Sequence, residues 1–147
     1  MRIVCSSSLL RLLGERLGGI RIDLRDQSAQ AGAYAFTTGN FNSLIGGWHP
    51  LAVTYDGRGG ATAAQGLTMY VDGISVPLFR STDPGYVAME NLADPIQIGR
   101  AGPVWRQYNG GLDDVRLWRV ARTPAELQAG MATELTGLEV GLAAYWR

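Results

Sequence analysis

Residues Gln107-Tyr-Asn-Gly-Gly-Leu-Asp-Asp-Val-Arg-Leu-Trp118, followed directly by Arg119-Val-Ala-Arg-Thr-Pro-Ala-Glu-Leu127, constrain the fold more than any other stretch. The first part reads as a long strand. Val115 and Leu117 fall on one side and Asp114, Arg116 and Trp118 on the other, the alternation of a pleated strand. Leu112 breaks that phase by falling on the Asp114 side. A bulge near Gly110-Gly111, or burial of both faces, is expected there. The second part reads as a short helix over about 123–130: Thr123 suits the N-cap, Pro124 the first helical position, and Glu126 completes a capping box. A core strand running straight into one capped helical segment narrows the choice of fold sharply.

Three further stretches fit the same frame. Gly47-Trp-His-Pro-Leu-Ala-Val-Thr-Tyr-Asp-Gly57 is a strand entered by Trp and His. Leu67-Thr-Met-Tyr-Val-Asp-Gly73 is a strand ending in a tight turn, and Pro95-Ile-Gln-Ile-Gly99 is a short apolar strand. In this order, and with the 107–127 stretch behind them, they resemble the laminin-G-like, concanavalin A-like jelly roll of the pentraxin type. The resemblance covers about residues 20–147, most densely from 48, and implies an all-β, two-sheet antiparallel sandwich with one short helix. Such a fold hosts many functions, so it implies a kind of module more firmly than a ligand. Pro50 departs mildly from the family pattern and is tolerated only near a strand start or edge, because it has no N–H for the ladder.

The 147 residues read as one domain, 1–147, long enough to bury a core. Twenty glycines suit a protein of many turns. Basic and acidic residues balance at 13 each, which gives no electrostatic case for nucleic acid or a membrane surface. No apolar run is long enough to span a membrane. Cys5 is the only cysteine, so no intrachain disulfide forms. The N-terminus does not read as a signal peptide, since Arg11 interrupts its apolar run and Glu15 and Arg16 follow.

In chain order, residues 3–13 fit one strand or a short helix. Ile20, Ile22 and Leu24 alternate with Arg21, Asp23 and Arg25 as a half-buried strand, and residues 33–38 form another with Tyr34 and Phe36 on one face. Leu51, Val53 and Tyr55 oppose Ala52 and Thr54. Asp56–Gly66 reads as a loop. Leu67–Val71 and Ile74–Phe79 flank Asp72-Gly73, a two-residue hairpin turn. Ser81–Asp94 reads as a loop with a Pro84-Gly85 turn and a short edge strand at 86–90. Ile96 and Ile98 form a core strand, Gly137 ends a helical tail, and Val140–Trp146 is the last strand. Family domains carry more strands before the Trp-His strand, so an abbreviated N-terminus with an open sheet edge is expected. That expectation includes self-association, by edge pairing or by exchange of residues 1–13.

Some relatives of this fold are glycoside hydrolases with closely spaced carboxylates on one strand. Here Glu15, Glu90, Glu126, Glu134 and Glu139 show no such spacing with Asp, so no catalytic residues are assigned. His49, the only histidine, has no identifiable nucleophile partner and reads as structural. Others hold calcium at the sandwich rim; the resemblance allows it here, with Asp56, Asp72, Asn109, Asp113 and Asp114 as candidates, and no cofactor is otherwise expected. Trp105, Arg106, Tyr108 and Asn109 combine aromatic faces with planar donors, the groups that hold sugars, and are the expected ligand-binding residues. Trp48, Trp118 and Trp146 read as core. The expected function is a non-catalytic binding or adhesion module of a larger extracellular or surface protein, binding carbohydrate or a protein partner. The alternative is a purely structural assembly module of a virion or cell surface, with protein contacts only.

Overall fold

In a computed structural model of the chain, the residues described are 2–6, 11–14, 19–39, 44, 46–90, 98 and 110–147. They form strands β1 (Arg2–Ser6), β2 (Arg11–Gly14), β3 (Ile20–Asp26), β4 (Ala31–Thr37), β5 (Pro50–Tyr55), β6 (Leu67–Val71), β7 (Ile74–Ser75), β8 (Leu78–Thr82) and β9 (Val115–Trp118), then helix α1 (Pro124–Gly130) and β10 (Leu142–Trp146). One sheet has the order β10-β9-β1-β5-β6-β7 and the other β2-β3-β4-β8. No helix among the described residues is long and apolar enough to cross a membrane.

The alternation in β3 and β4 sets the sandwich core. Ile22 and Leu24 are 0% and 1% exposed, whereas Arg25 lies outside. In β4 the small Ala33 and Ala35 face inward, and Tyr34 and Phe36 are half-buried on the outer face. There Phe36 stacks on Phe79 with ring centroids 4.8 Å apart, and the Arg21 guanidinium lies 4.4 Å over the Tyr34 ring. The alanines leave room for an element that the glycine-rich sequence concealed. Gly60–Gly66 is a 3₁₀ helix rather than open loop, and its Ala63 and Ala64 join Val53, Leu67, Met69 and Tyr86 in the core.

The Asp72-Gly73 turn forms as expected, with φ of 51° and 76° at its two central residues, the left-handed pair that a two-residue hairpin needs. The strand after it is shorter than Ile74–Phe79. Pro77 has no N–H to continue the ladder, so β7 ends at Ser75 and the chain crosses to the other sheet, where β8 pairs with β4. Tyr86 is buried, but 86–90 is not a strand. Instead the Asp26 and Glu90 carboxylates tie this segment to the β3–β4 turn by accepting from Val87 N and from Gln27 N and Ser28 N. Ile98 lies in a bend and is 38% exposed, so it is not core; Ile96 lies outside the described residues. The helical tail ends at Gly130, and Gly137 belongs to a later turn with φ of 88°.

The N-terminal reading changes most. Residues 2–6 and 11–14 are two strands in different sheets. The register places Val4 opposite both Ala52 of β5 and Arg116 of β9, and both pairings are parallel. This is one departure from the antiparallel expectation, and it has a geometric cause. Strands β5 and β9 run the same way, so whatever lies between them is parallel to both or antiparallel to both. The six-stranded sheet is therefore not open at β1: its edges are β7 and β10.

Candidate functional site

Because β1, β5 and β9 run together, the segments that precede β5 and β9 share one rim with the Asp72-Gly73 turn. Trp48 stands on this rim, 66% exposed, and not in the core where the sequence reading put it. Strand β5 starts only at Pro50, so Trp48 never enters the pleat. Its indole instead packs against the backbone at Gly111, where an added Cβ would come within 2.7 Å of Trp48 Cη2. Beside it, His49 Nδ1 lies 2.9 Å from Asp72 Oδ2 and 3.1 Å from Oδ1. A carboxylate only accepts, so Nδ1 carries the proton. Trp146, 37% exposed, reaches the same rim through its pairing with Val115. Of the three tryptophans read as core, only Trp118 is buried, at 5% exposure.

The Asp113-Asp114 step explains the phase break noted in the sequence. Asp114 has φ of 56°, so the irregularity lies there, and the regular strand begins at Val115. The Asp113 carboxylate accepts from Asp114 N at 2.9 Å. Asp114 turns inward and pairs with Arg116, while Asp113 stays exposed. Trp105, Arg106, Tyr108 and Asn109 lie outside the described residues.

The candidate calcium donors do not gather at one place. Asp72 and Asp113 are on the Trp48 rim, whereas Asp56 follows β5 on the opposite one. Asp56 is held by Arg58, Asp72 by His49 and Asp114 by Arg116. Among the described residues no group of three His, Cys, Asp or Glu side chains could hold a metal ion. Asn109, the remaining candidate, lies outside the described residues.

The family model of the concanavalin A-like lectin/glucanases superfamily, in its laminin G form, matches residues 8–128. The chain belongs to this superfamily. Comparison with curated proteins and with solved structures finds no match. Membership agrees with the two-sheet sandwich and with the resemblance carried by residues 47–57, 67–73 and 107–127. The superfamily includes both lectins and glucanases, so membership alone does not separate binding from hydrolysis.

A superfamily hydrolase would need a carboxyl group kept protonated and another kept ionised across a sugar. Each carboxylate among the described residues already has a hydrogen-bond or ion-pair partner. Those with shifted acidity are all shifted downward. Hydrogen bonds from Ala29 N and Val87 N hold Asp26 below the usual carboxylate range. Arg58 does so for Asp56, Ser28 for Glu90, Thr123 N for Glu126 and Thr136 N for Glu139. None of these five is raised toward the role of a general acid. Among the described residues no hydroxyl or thiol hydrogen-bonds to His49, so its Asp72 partner does not complete a triad.

Proposed function

We propose that this chain is a non-catalytic binding module of a larger extracellular or surface protein, and that it takes carbohydrate at the rim carrying Trp48. The observation that carries this reading is the exposure of Trp48, 66% on a rim rather than in the core. An exposed indole offers an apolar face to a pyranose ring, and the neighbouring His49–Asp72 pair offers hydrogen bonds to hydroxyls. Trp105, Arg106, Tyr108 and Asn109, the residues expected from the sequence to bind the ligand, precede Gly111, against which Trp48 packs, in the chain. The downward-shifted carboxylates support the non-catalytic half of the reading.

A glycan array probed with the full chain and with Trp48→Ala tests it. Specific binding that the substitution weakens about tenfold or more, a change of about 1.4 kcal/mol, is the expected result. Turnover of β-glucan should stay at the buffer level. One observation favours the second reading, a structural module with protein contacts only. Val120, Leu138 and Val140 are 54%, 89% and 94% exposed, an apolar surface suited to a protein neighbour. A blank array would favour that reading, and glucan cleavage would overturn both.

A further inference from the structure

A hollow lies between α1 and the outer face of the six-stranded sheet, bordered by Pro50 and Gly73 where it meets the Trp48 rim. Its volume is about 360 Å³. Leu51 and Ala52 of β5 and Tyr70 of β6 line it from the sheet, and Leu127 of α1 and Met131 just beyond close it from the other side. Ala52, Tyr70 and Leu127 form a buried cluster of their own, separate from the sandwich core. Trp118 supplies an aromatic wall, with the Arg122 guanidinium 4.3 Å over its ring.

Native interiors contain few voids larger than a water molecule. An apolar cavity of about 150 Å³ already stays dry and holds benzene. This hollow is larger than that and falls at the small end of the range for ligand pockets, about 300–1,000 Å³. Its size fits one or two rings.

The two cations at its wall are already paired. Arg116 pairs with Asp114 through Nε and Nη2 and donates to the carbonyls of Gly130 and Thr133. Arg122 pairs with Glu126, whose carboxylate also accepts from Thr123 N and Oγ1. Glu139 accepts from Thr136 N and Gly137 N. Neither Arg116 nor Arg122 is left to recognise an anionic ligand. What remains is mostly aliphatic and aromatic surface, with the Tyr70 hydroxyl and the pliable Met131 thioether at the walls. We propose that the hollow beneath α1 is a binding site for a largely apolar molecule of one or two rings, bordering the Trp48 rim but reading its ligand through its own walls.

The methionine methyl groups provide the test. Met131 lines the hollow, whereas Met69 is fully buried in the sandwich core. In the full chain labelled at the methionine methyls, titration with indole should move the Met131 resonance saturably and leave that of Met69 in place. Ala52→Leu, which adds volume to the floor, should abolish the Met131 shift while the Met69 resonance keeps its folded position. If that variant unfolds, Met131→Leu followed by thermal shift is the second measurement. Indole should still raise its melting temperature, since the hollow remains. An unmoved Met131 resonance at millimolar indole would overturn the proposal, as would equal shifts at both methionines. Glycan binding is read separately, so loss of one site leaves the other testable.

Discussion

Asp114 and Arg116 stand two residues apart and meet in a bidentate ion pair that is almost wholly buried. Nε lies 2.6 Å from Oδ1 and Nη2 2.9 Å from Oδ2, with side-chain exposures of 4% for Arg116 and 7% for Asp114. Asp114 has left-handed backbone, with φ of 56°, and the regular strand begins only at the residue after it. Arg116 also donates to the carbonyls of Gly130 and Thr133, so the pair links β9 to the end of α1 and to the turn beyond it.

Breaking this pair strands a buried guanidinium. Asp114→Asn keeps a residue type that tolerates left-handed backbone, so its effect reports the charge. It should destabilise the chain by about 3–5 kcal/mol, the usual cost of orphaning one partner of a buried pair. The further change Arg116→Met should recover part of that loss. Urea denaturation of the wild type and both variants measures it, and an Asp114→Asn midpoint equal to that of the wild type would show the pair to be dispensable.

The Asp72-Gly73 turn gives a second expectation. Gly73 has φ of 76°, and an added Cβ would lie 2.8 Å from Met131 Cε. Gly73→Ala should therefore cost about 1–2 kcal/mol from the backbone alone, and more from the displaced Met131. The same denaturation experiment reads it. A neutral substitution would mean that the hairpin relaxes to another turn type.

Local patterns in the sequence carried much of this fold. The Asp-Gly turn, the capping box at Thr123, the alternation in β3 and the shared side of Asp114 and Arg116 all depend on residues within a few positions of each other. The site depended on contacts between distant segments. Trp48 read as core because it precedes an apolar strand, but its exposure follows from where β5 begins and from the approach of Gly111. The His49–Asp72 pair joins residues 23 apart and has no local signature. Likewise the 3₁₀ helix at 60–66 was hidden by its glycines, and it is held by burial of Ala63 and Ala64 rather than by propensity. Proline 77 carried a legible signal in its missing N–H, which marks the change of sheet.

The cap of α1 is a local matter. Thr123 Oγ1 accepts from Glu126 N at 3.3 Å, and Glu126 Oε2 accepts from Thr123 N at 2.8 Å. Thr123→Ala removes one half of this reciprocal arrangement and should cost about 1 kcal/mol. Melting should fall by a few degrees, and an unchanged curve would argue that packing of Leu127 alone holds the helix.

Acid should weaken the fold through its carboxylates, and Asp26 is the most heavily engaged. Its Oδ1 accepts from Ser28 Oγ and Ala29 N, and its Oδ2 from Val87 N and Ala88 N, which joins the β3–β4 turn to the 87–90 segment. These bonds favour the ionised form, led by those from Ala29 N and Val87 N, and lower its pKa in the folded chain. A group whose folded pKa lies below its unfolded value stabilises the fold above the unfolded value. That stability is lost as pH falls through the folded one. The unfolded value for Asp is about 3.9, so the loss should begin below about pH 4 and deepen as pH falls further. Glu90, Glu126, Glu139 and Asp56 shift the same way and add to it. Asp26→Asn should lower stability at pH 7, because a neutral amide offers only one acceptor atom to these donors. It should also flatten the dependence on pH below 4, because one titrating group is gone. Urea midpoints between pH 7 and pH 3 for both chains decide it: parallel curves would show that Asp26 does not contribute to acid sensitivity.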